Sequence, residues 1–439
     1  MTTTPITTPI TTPITTPITT RSSPRLLSGV DLAGRLDLGR HLAVHGPLPA
    51  ALRAGTQDVL DLADAVNLRG RGGAGFPFAR KARGVNKGRQ DIGGAPLVVA
   101  NGSEGEPASR KDAALLMRAP HLVLDGITLA AVAVGAREGR LVVGDPAARD
   151  SALAAVRERG REGRPRVRIR VVGVEDRFVA GESSAVVRAS AGKTPIPVFT
   201  LTRTAAGGVN GRPTLVSNVE TLAQLAVLAR VGADEYARVG TADEPGTTLL
   251  TLHRGGGAAV VEVPLGTPLP DVLGSIADAR AVLVGGYHGS WLSGRTVAAA
   301  TLSRSGLQAV GATLGAGLVV PLPASACPLV EAAPVVRMLA DESAGQCGPC
   351  VHGLRAIATT VQELADGAVA PGGVARLERW AGLVTGRGAC AHPDGVVRFI
   401  ASLLATFPTE VALHQHQGCG RPLQRLLPLR PVAILEDAA

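Results

Sequence analysis

Aromatic side chains are scarce in this sequence: two Trp, two Tyr and six Phe among 439 residues. Base-stacking surfaces need rings interleaved with basic residues, and no basic run here carries them. The formal net charge of +9 is mostly arginine spread along the chain, which describes a generally basic surface and no nucleic-acid partner. Cysteine is absent from residues 1–326, and the five present are Cys327, Cys347, Cys350, Cys390 and Cys419. An odd number confined to one end argues against a disulfide framework and for metal or redox chemistry in a reducing compartment. Long apolar runs are also missing. The most apolar stretch, 122–134, is too short to span a bilayer and contains Asp125. No apolar segment with a cleavage site follows Met1. We therefore expect a cytoplasmic protein without membrane insertion, its core built from the Leu, Val and Ala that dominate a 45% hydrophobic composition.

Residues 2–20 repeat Thr-Thr-Pro-Ile. Proline at every fourth position blocks helix and disfavours strand, so this reads as a disordered tail without chemistry. Helical periodicity near 59–66 stops at Asn67 and gives way to Leu68-Arg69-Gly70-Arg71-Gly72-Gly73-Ala74-Gly75-Phe76-Pro77. Such a loop can turn its amides toward an anion, with Lys81 close behind, or serve as a flexible turn before a strand. Its match to GxGxxG follows a helix, whereas a dinucleotide fingerprint needs a strand before it, so an ordinary fingerprint is rejected. Apolar runs at 96–100, 141–144 and 167–171 alternate with helical patterns at 122–136 and 146–159, which predicts a parallel α/β sheet. Ligands of such sheets gather beyond the carboxyl ends of the strands. Asn101-Gly102-Ser103-Glu104-Gly105-Glu106-Pro107 lies at one such end, and Phe178-Val179-Ala180-Gly181-Glu182 follows another. Their carboxylates suit ribose or ribityl hydroxyls, and also suit plain solvated turns. Asn218 stands before a helix, where a cap is the simpler role.

Residues 244–300 read as a small α+β module without chemistry, with His288 and Trp291 as packing or surface residues. Four helical patterns follow, at 330–340, 350–366, 372–385 and 393–406, and suggest an antiparallel bundle. Cys347-Gly348-Pro349-Cys350 opens the second and Cys390 precedes the fourth. Thioredoxin-type exchange would need a strand before the Cys-Gly-Pro-Cys sequence, and a helix precedes it instead. Three thiols in this arrangement suit an iron–sulfur cluster, which normally takes four.

Taken together, LRGRGGAGFP at 68–77, NGSEGEP at 101–107, VAGESSA at 179–185, PTLVSNVET at 213–221, VPLGTPL at 263–269 and ESAGQCGPC at 342–350 carry a resemblance to a known family. The chain resembles the F subunit of NADH:quinone oxidoreductase, the flavin-bearing, NADH-oxidising part of respiratory complex I. The resemblance runs over about residues 55–415. It implies a disordered tail (1–28), a Rossmann-like parallel-sheet flavin domain (29–243), a ubiquitin-like α+β domain of the SLBB type (244–328), a four-helix-bundle iron–sulfur domain (329–420) and a C-terminal tail (421–439). It implies FMN, NAD(H) and a 4Fe–4S cluster, with hydride transfer from NADH to flavin and single electrons passed to a ferredoxin-like or other iron–sulfur partner. No residue is implied as a general acid or base. Gly70, Arg71, Gly72, Gly73, Gly75 and Lys81 would hold the FMN phosphate or line the flavin. Asn101, Glu104, Phe178, Gly181, Glu182 and Asn218 would surround it, and Phe76 and Glu106 would help to place NADH. Cys347, Cys350 and Cys390 match cluster ligands, whereas Ala344 stands where the family has its first cysteine. Ser183 replaces a second glutamate, and 194–212 lacks the usual nucleotide loop. A chain with these departures could also be a non-catalytic partner. Cys327 and Cys419 match no ligand position and read as ordinary thiols.

Overall fold

The computed structural model describes residues 25–30, 34–53, 55–163, 166–175, 177–254, 257–274 and 279–430. The Thr-Thr-Pro-Ile repeat and residues 431–439 lie outside them. Strands β1 (Leu97–Gly102), β2 (Glu138–Val143), β3 (Arg168–Gly173) and β4 (Thr214–Asn218) form a sheet of order β3-β2-β1-β4. All three of its pairings are parallel. Alternation across the pleat divides its side chains between two cores. Val98, Ala100, Leu141 and Leu215 face the helices Pro120–Val134 and Val219–Ala237. Leu97, Val99, Val142 and Val216 face the shorter helix Ser183–Ser190. From β1 the chain leaves to β2 on one side and reaches β4 on the other, so the gap between the carboxyl ends of β1 and β4 is a topological switch point.

Asp125 sits in the middle of the most apolar helix and is almost wholly buried. Its carboxylate pairs with Arg230, accepts a bond of 2.7 Å from Arg159 and lies 2.9 Å from His41 Nε2. Three other helices are thereby tied to this one.

The second sheet has the order β6-β5-β9-β7-β8, with β5 (Thr247–Arg254), β6 (Gly257–Pro264), β7 (Ala281–Val284), β8 (Ser290–Ser293) and β9 (Leu318–Leu322). It is mixed: β5 and β9 run parallel and the remaining pairs antiparallel. One face, with Leu250, Val282, Leu292 and Val319, is covered by the short helices between its strands. The other, with Leu283, Trp291, Leu318 and Val320, is continuous with the core of the C-terminal helices. These are Pro328–Asp341, Arg355–Ala365, Gly373–Val384, His392–Thr406 and Pro408–His414. A wider π-helical turn, Pro349–Leu354, leads into the second of them. No single helix among the described residues is long and apolar enough to cross a membrane.

Burial alone would raise the Asp125 pKa, but His41 and the two guanidinium groups outweigh it and hold this carboxyl below its usual range. Its contribution to stability is therefore full above about pH 4 and is lost as the pH falls through the lower folded-state pKa. Asp125→Ala leaves buried Arg230 without its carboxylate and is expected to cost roughly 3–5 kcal/mol at pH 7, read from urea unfolding. A loss below about 1 kcal/mol would refute the hub role.

Candidate functional site

The glycine loop is closed at its neck. Gly70 N–H donates to Phe76 O at 3.0 Å, and Phe78 N–H to Leu68 O at 2.8 Å. A helix, Phe78–Ile92, follows at once, so the alternative of a turn leading into a strand does not hold. The closed loop lies against the switch point. A Cβ on Gly72 would stand 3.2 Å from Asn218 Cβ, a separation that few side chains tolerate. Gly75 has φ +59°, a conformation that favours glycine. Arg71 N–H donates to Thr221 Oγ1 at 2.8 Å, and its guanidinium reaches Thr247 O at 3.1 Å, where β5 begins. On the loop's other side Arg304 donates to Ala74 O at 3.1 Å. A cavity of about 250 Å³ lies there, bounded also by Glu244, Gln308 and Gly315. Lys81, in the helix after the loop, donates to Val216 O at 2.8 Å, using one of its three protons. Burial holds its pKa below the ordinary lysine range.

Asn101 and Asn218 are register partners at the ends of β1 and β4. Asn101 Nδ2 donates to Gly181 O at 2.9 Å, which brings the second acidic loop to the first. Asn218 caps the following helix by accepting from Glu220 N–H at 2.9 Å, and it donates to Asp112 at 2.6 Å. The glutamates differ in use. Glu104 accepts from Ser109 Oγ and from the Asp112 and Ala113 N–H groups at the start of helix Lys111–Arg118. Glu182 caps helix Ser183–Ser190 through the Ser184 and Ala185 N–H groups. Glu106 is different. Its Oε2 accepts from Tyr287 N–H at 2.8 Å, while Oε1 is buried with no partner. Ser103 Oγ is likewise buried and unpartnered, and Arg71 Nε is buried without a hydrogen bond, its nearest charge being Glu220 at 3.9 Å. A close-fitting glycine loop, a lysine beneath it and unpartnered buried polar atoms around a switch point fit a phosphorylated, hydroxyl-bearing cofactor such as FMN.

Below this region Lys111 is buried, 2.7 Å from Asp112 and 2.8 Å from Glu220. The sequence gives no sign of it, since a Lys-Asp pair resembles a solvated surface. Phe76 carries an exposed ring with the Arg80 guanidinium 5.5 Å from its centroid. Phe199, equally inconspicuous in sequence, is 71% exposed, the barest phenylalanine among the described residues in a chain with few rings. The Phe178 ring packs edge-on to His288 at 4.7 Å.

Cys347, Cys350 and Cys390 line one small pocket with Ser343, Ala344, Gln346 and His392. Burial, and then the neighbouring Cys347 and Cys390, push the Cys350 thiol up to about 12, against a Ser343 hydrogen bond. Burial likewise raises the Cys390 thiol. The donor chemistry of the three thiols fits an iron–sulfur cluster held by three cysteines, with Ser343 the oxygen donor at hand and Ala344 offering nothing. Helix Pro328–Asp341 comes directly before this segment, where a thioredoxin-type site would require a strand. His288, read from the sequence as a packing or surface residue, has its Nε2 3.0 Å from His392 Nδ1, and His392 Nε2 donates to Leu339 O. Tyr287 and His288 thus connect Glu106 to the thiol pocket within two residues. Cys327 and Cys419, read from the sequence as ordinary thiols, lie beside each other and His414.

A family model described as the Nuo51 FMN-binding domain matches residues 63–227. One described as the NADH-ubiquinone oxidoreductase-F iron-sulfur binding region matches residues 330–414. The chain is 28% identical over 418 residues to the F 2 subunit of NADH-quinone oxidoreductase from Rhizobium meliloti, covering 89% of this chain and 97% of that one. It is 28% identical over 376 residues to the HndC subunit of the NADP-reducing hydrogenase from Solidesulfovibrio fructosivorans, covering 81% and 76%. A crystal structure of an air-oxidized NAD+-reducing NiFe-hydrogenase superposes with a TM-score of 0.77 at 27% identity, covering 89% of this chain and 70% of that one.

Burial raises Glu106 to about 8, against the Tyr287 and Ala108 N–H groups and with the Glu104 charge adding to the rise. The folded chain therefore holds a proton that the unfolded chain has lost between about pH 4.3 and pH 8, and stability falls as the pH rises through that window. Glu106→Gln removes this dependence. Relative to wild type, the variant should gain at least roughly 1 kcal/mol between pH 4 and pH 8.5 in urea unfolding, and parallel profiles would contradict the assignment.

Proposed function

The chain belongs to the family of the F subunit of NADH:quinone oxidoreductase, and on that premise we propose how its own residues serve NADH oxidation. It is an oxidoreductase that carries electrons from NADH by way of FMN to an iron–sulfur cluster. When bound, FMN supplies the means of taking electrons as a pair and releasing them singly. The observation that carries this reading is the short bridge through Tyr287 and His288 between Glu106 and the thiol pocket. A donor site and an acceptor site joined so closely suit transfer within one chain.

In this proposal the Gly70–Gly75 loop, with Arg71 and Lys81, holds the phosphate end of the cofactor. Asn101, Gly181, Asn218 and the free oxygens of Ser103 and Glu106 line its polar body. Glu104 and Glu182 act at one remove, fixing the two acidic loops as helix caps. Phe76 offers an apolar face for the nicotinamide, and Phe199 a second exposed ring. Phe178 packs at the junction with the thiol pocket. Cys347, Cys350 and Cys390 ligate the cluster. The domain limits proposed are 29–243, 244–328 and 329–420, the middle one ubiquitin-like and the last a helical bundle. The partner is a ferredoxin or another iron–sulfur protein, and the setting cytoplasmic, as the clustered cysteines favour.

Anaerobically purified chain loaded with FMN should show a flavin absorbance band that NADH bleaches; an unchanged band would remove NADH as the donor. Gly72→Val should weaken flavin binding at least roughly tenfold, about 1.4 kcal/mol, in a fluorescence titration. Unaltered affinity would move the cofactor away from the loop. Cys350→Ser should lower iron and acid-labile sulfide content, and full retention would exclude this thiol as a ligand.

A further inference from the structure

Two of the five cysteines have no part in the flavin and cluster reading. Cys327 precedes helix Pro328–Asp341, and Cys419 follows the last helix, which ends at His414. The fold brings these three residues together although 87 positions separate Cys327 from His414. Their Sγ, Nε2 and Sγ atoms all lie within 4.8 Å of one another. Cys327 and His414 are completely buried and Cys419 is half-buried.

The histidine is already set for ligation. Its Nδ1 lies 3.0 Å from Leu364 O. A carbonyl only accepts, so in the neutral ring Nδ1 carries the proton and Nε2 the lone pair. That lone pair faces Cys327 Sγ at 3.5 Å. A tetrahedral ion with zinc–sulfur and zinc–nitrogen bonds of usual length sets sulfur and nitrogen about 3.5 Å apart. The Leu364 carbonyl plays the part that backbone oxygens often play behind a metal-bound histidine.

We propose that Cys327, His414 and Cys419 form a zinc site separate from the thiol pocket, with water at the fourth position on the Cys419 side. Each thiol loses its proton to solvent as its zinc–sulfur bond forms, the histidine binds neutral, and no electrons move. The ion would join the start of the C-terminal helices to the segment that leaves them. That segment is already held by Glu331, whose carboxylate accepts from the Gln424 and Leu426 N–H groups. The proposal does not depend on the flavin reading.

The test uses the full chain carrying Cys347→Ser, Cys350→Ser and Cys390→Ser, which removes the other thiols. After zinc loading and desalting, metal analysis should find one zinc per chain. Cobalt(II) alone, added to the metal-free form, should give the intense absorption of thiolate-to-cobalt charge transfer. Adding Cys419→Ser, at the least buried ligand, should weaken cobalt binding at least tenfold while circular dichroism shows a folded chain. Wild type should hold the same zinc when its cluster is intact. The proposal fails if the three-serine chain binds no cobalt, if Cys419→Ser binds it equally well, or if anaerobically isolated protein contains a Cys327–Cys419 disulfide.

Discussion

One buried ammonium group holds the site region together. Lys111 lies between Asp112 and Glu220, with burial pulling its pKa down and the two carboxylates raising it above the ordinary lysine range. Each carboxylate in turn fixes something outside the pair. Asp112 accepts from Asn218, at the end of β4. Glu220 accepts from Leu249 N–H and Thr248 Oγ1 in β5, so it fastens the second sheet to the first. The Arg71 guanidinium stands 3.9 Å from the same carboxylate, which draws the glycine loop into the arrangement. Desolvating these charges is costly, and the attraction between them offsets that cost only while every partner stays in place. Loop, switch point and second sheet consequently share one set of positional constraints.

The parts of this architecture visible in the sequence are those where local pattern and tertiary environment agree. Strands β1, β2 and β3 come from short apolar runs, and their α/β alternation predicts the parallel sheet. Strand β4 is hidden: Thr214–Asn218 includes Ser217 and Asn218, and the helix directly after it dominates the pattern. Without β4 the switch point cannot be located. Helix Lys111–Arg118 is hidden for a related reason, since Lys111 and Asp112 look solvated and are buried because they neutralise each other. Strands β8 and β9 are short; β8 pairs with β7 as a near hairpin, whereas the pairing of β9 with β5 and β7 is decided by contacts distant in sequence.

Side-chain roles are less legible than element types. An acidic residue in a glycine-containing loop reads equally well as a ligand contact or a solvated turn. Glu104 and Glu182 turn out to cap helices, whereas Glu106 keeps a free oxygen, and only the directions of the following backbone distinguish them. The thiols near Cys350 can be grouped from spacing because Cys347 lies close by. The grouping of Cys327, His414 and Cys419 cannot, because it exists only once the last helix has folded back.

The second sheet gives one of its faces away. Leu283, Trp291 and Val320 have no helix of their own module over them and are covered by the C-terminal helices, where Trp291 meets Phe399 and Phe407. A boundary drawn along the chain near residue 328 therefore does not correspond to a seam in the hydrophobic interior. The module and the helices are not interchangeable cassettes. Recombination that exchanged one without the other would leave an apolar sheet face bare, so the two are expected to be inherited as a unit even where the surrounding assembly differs.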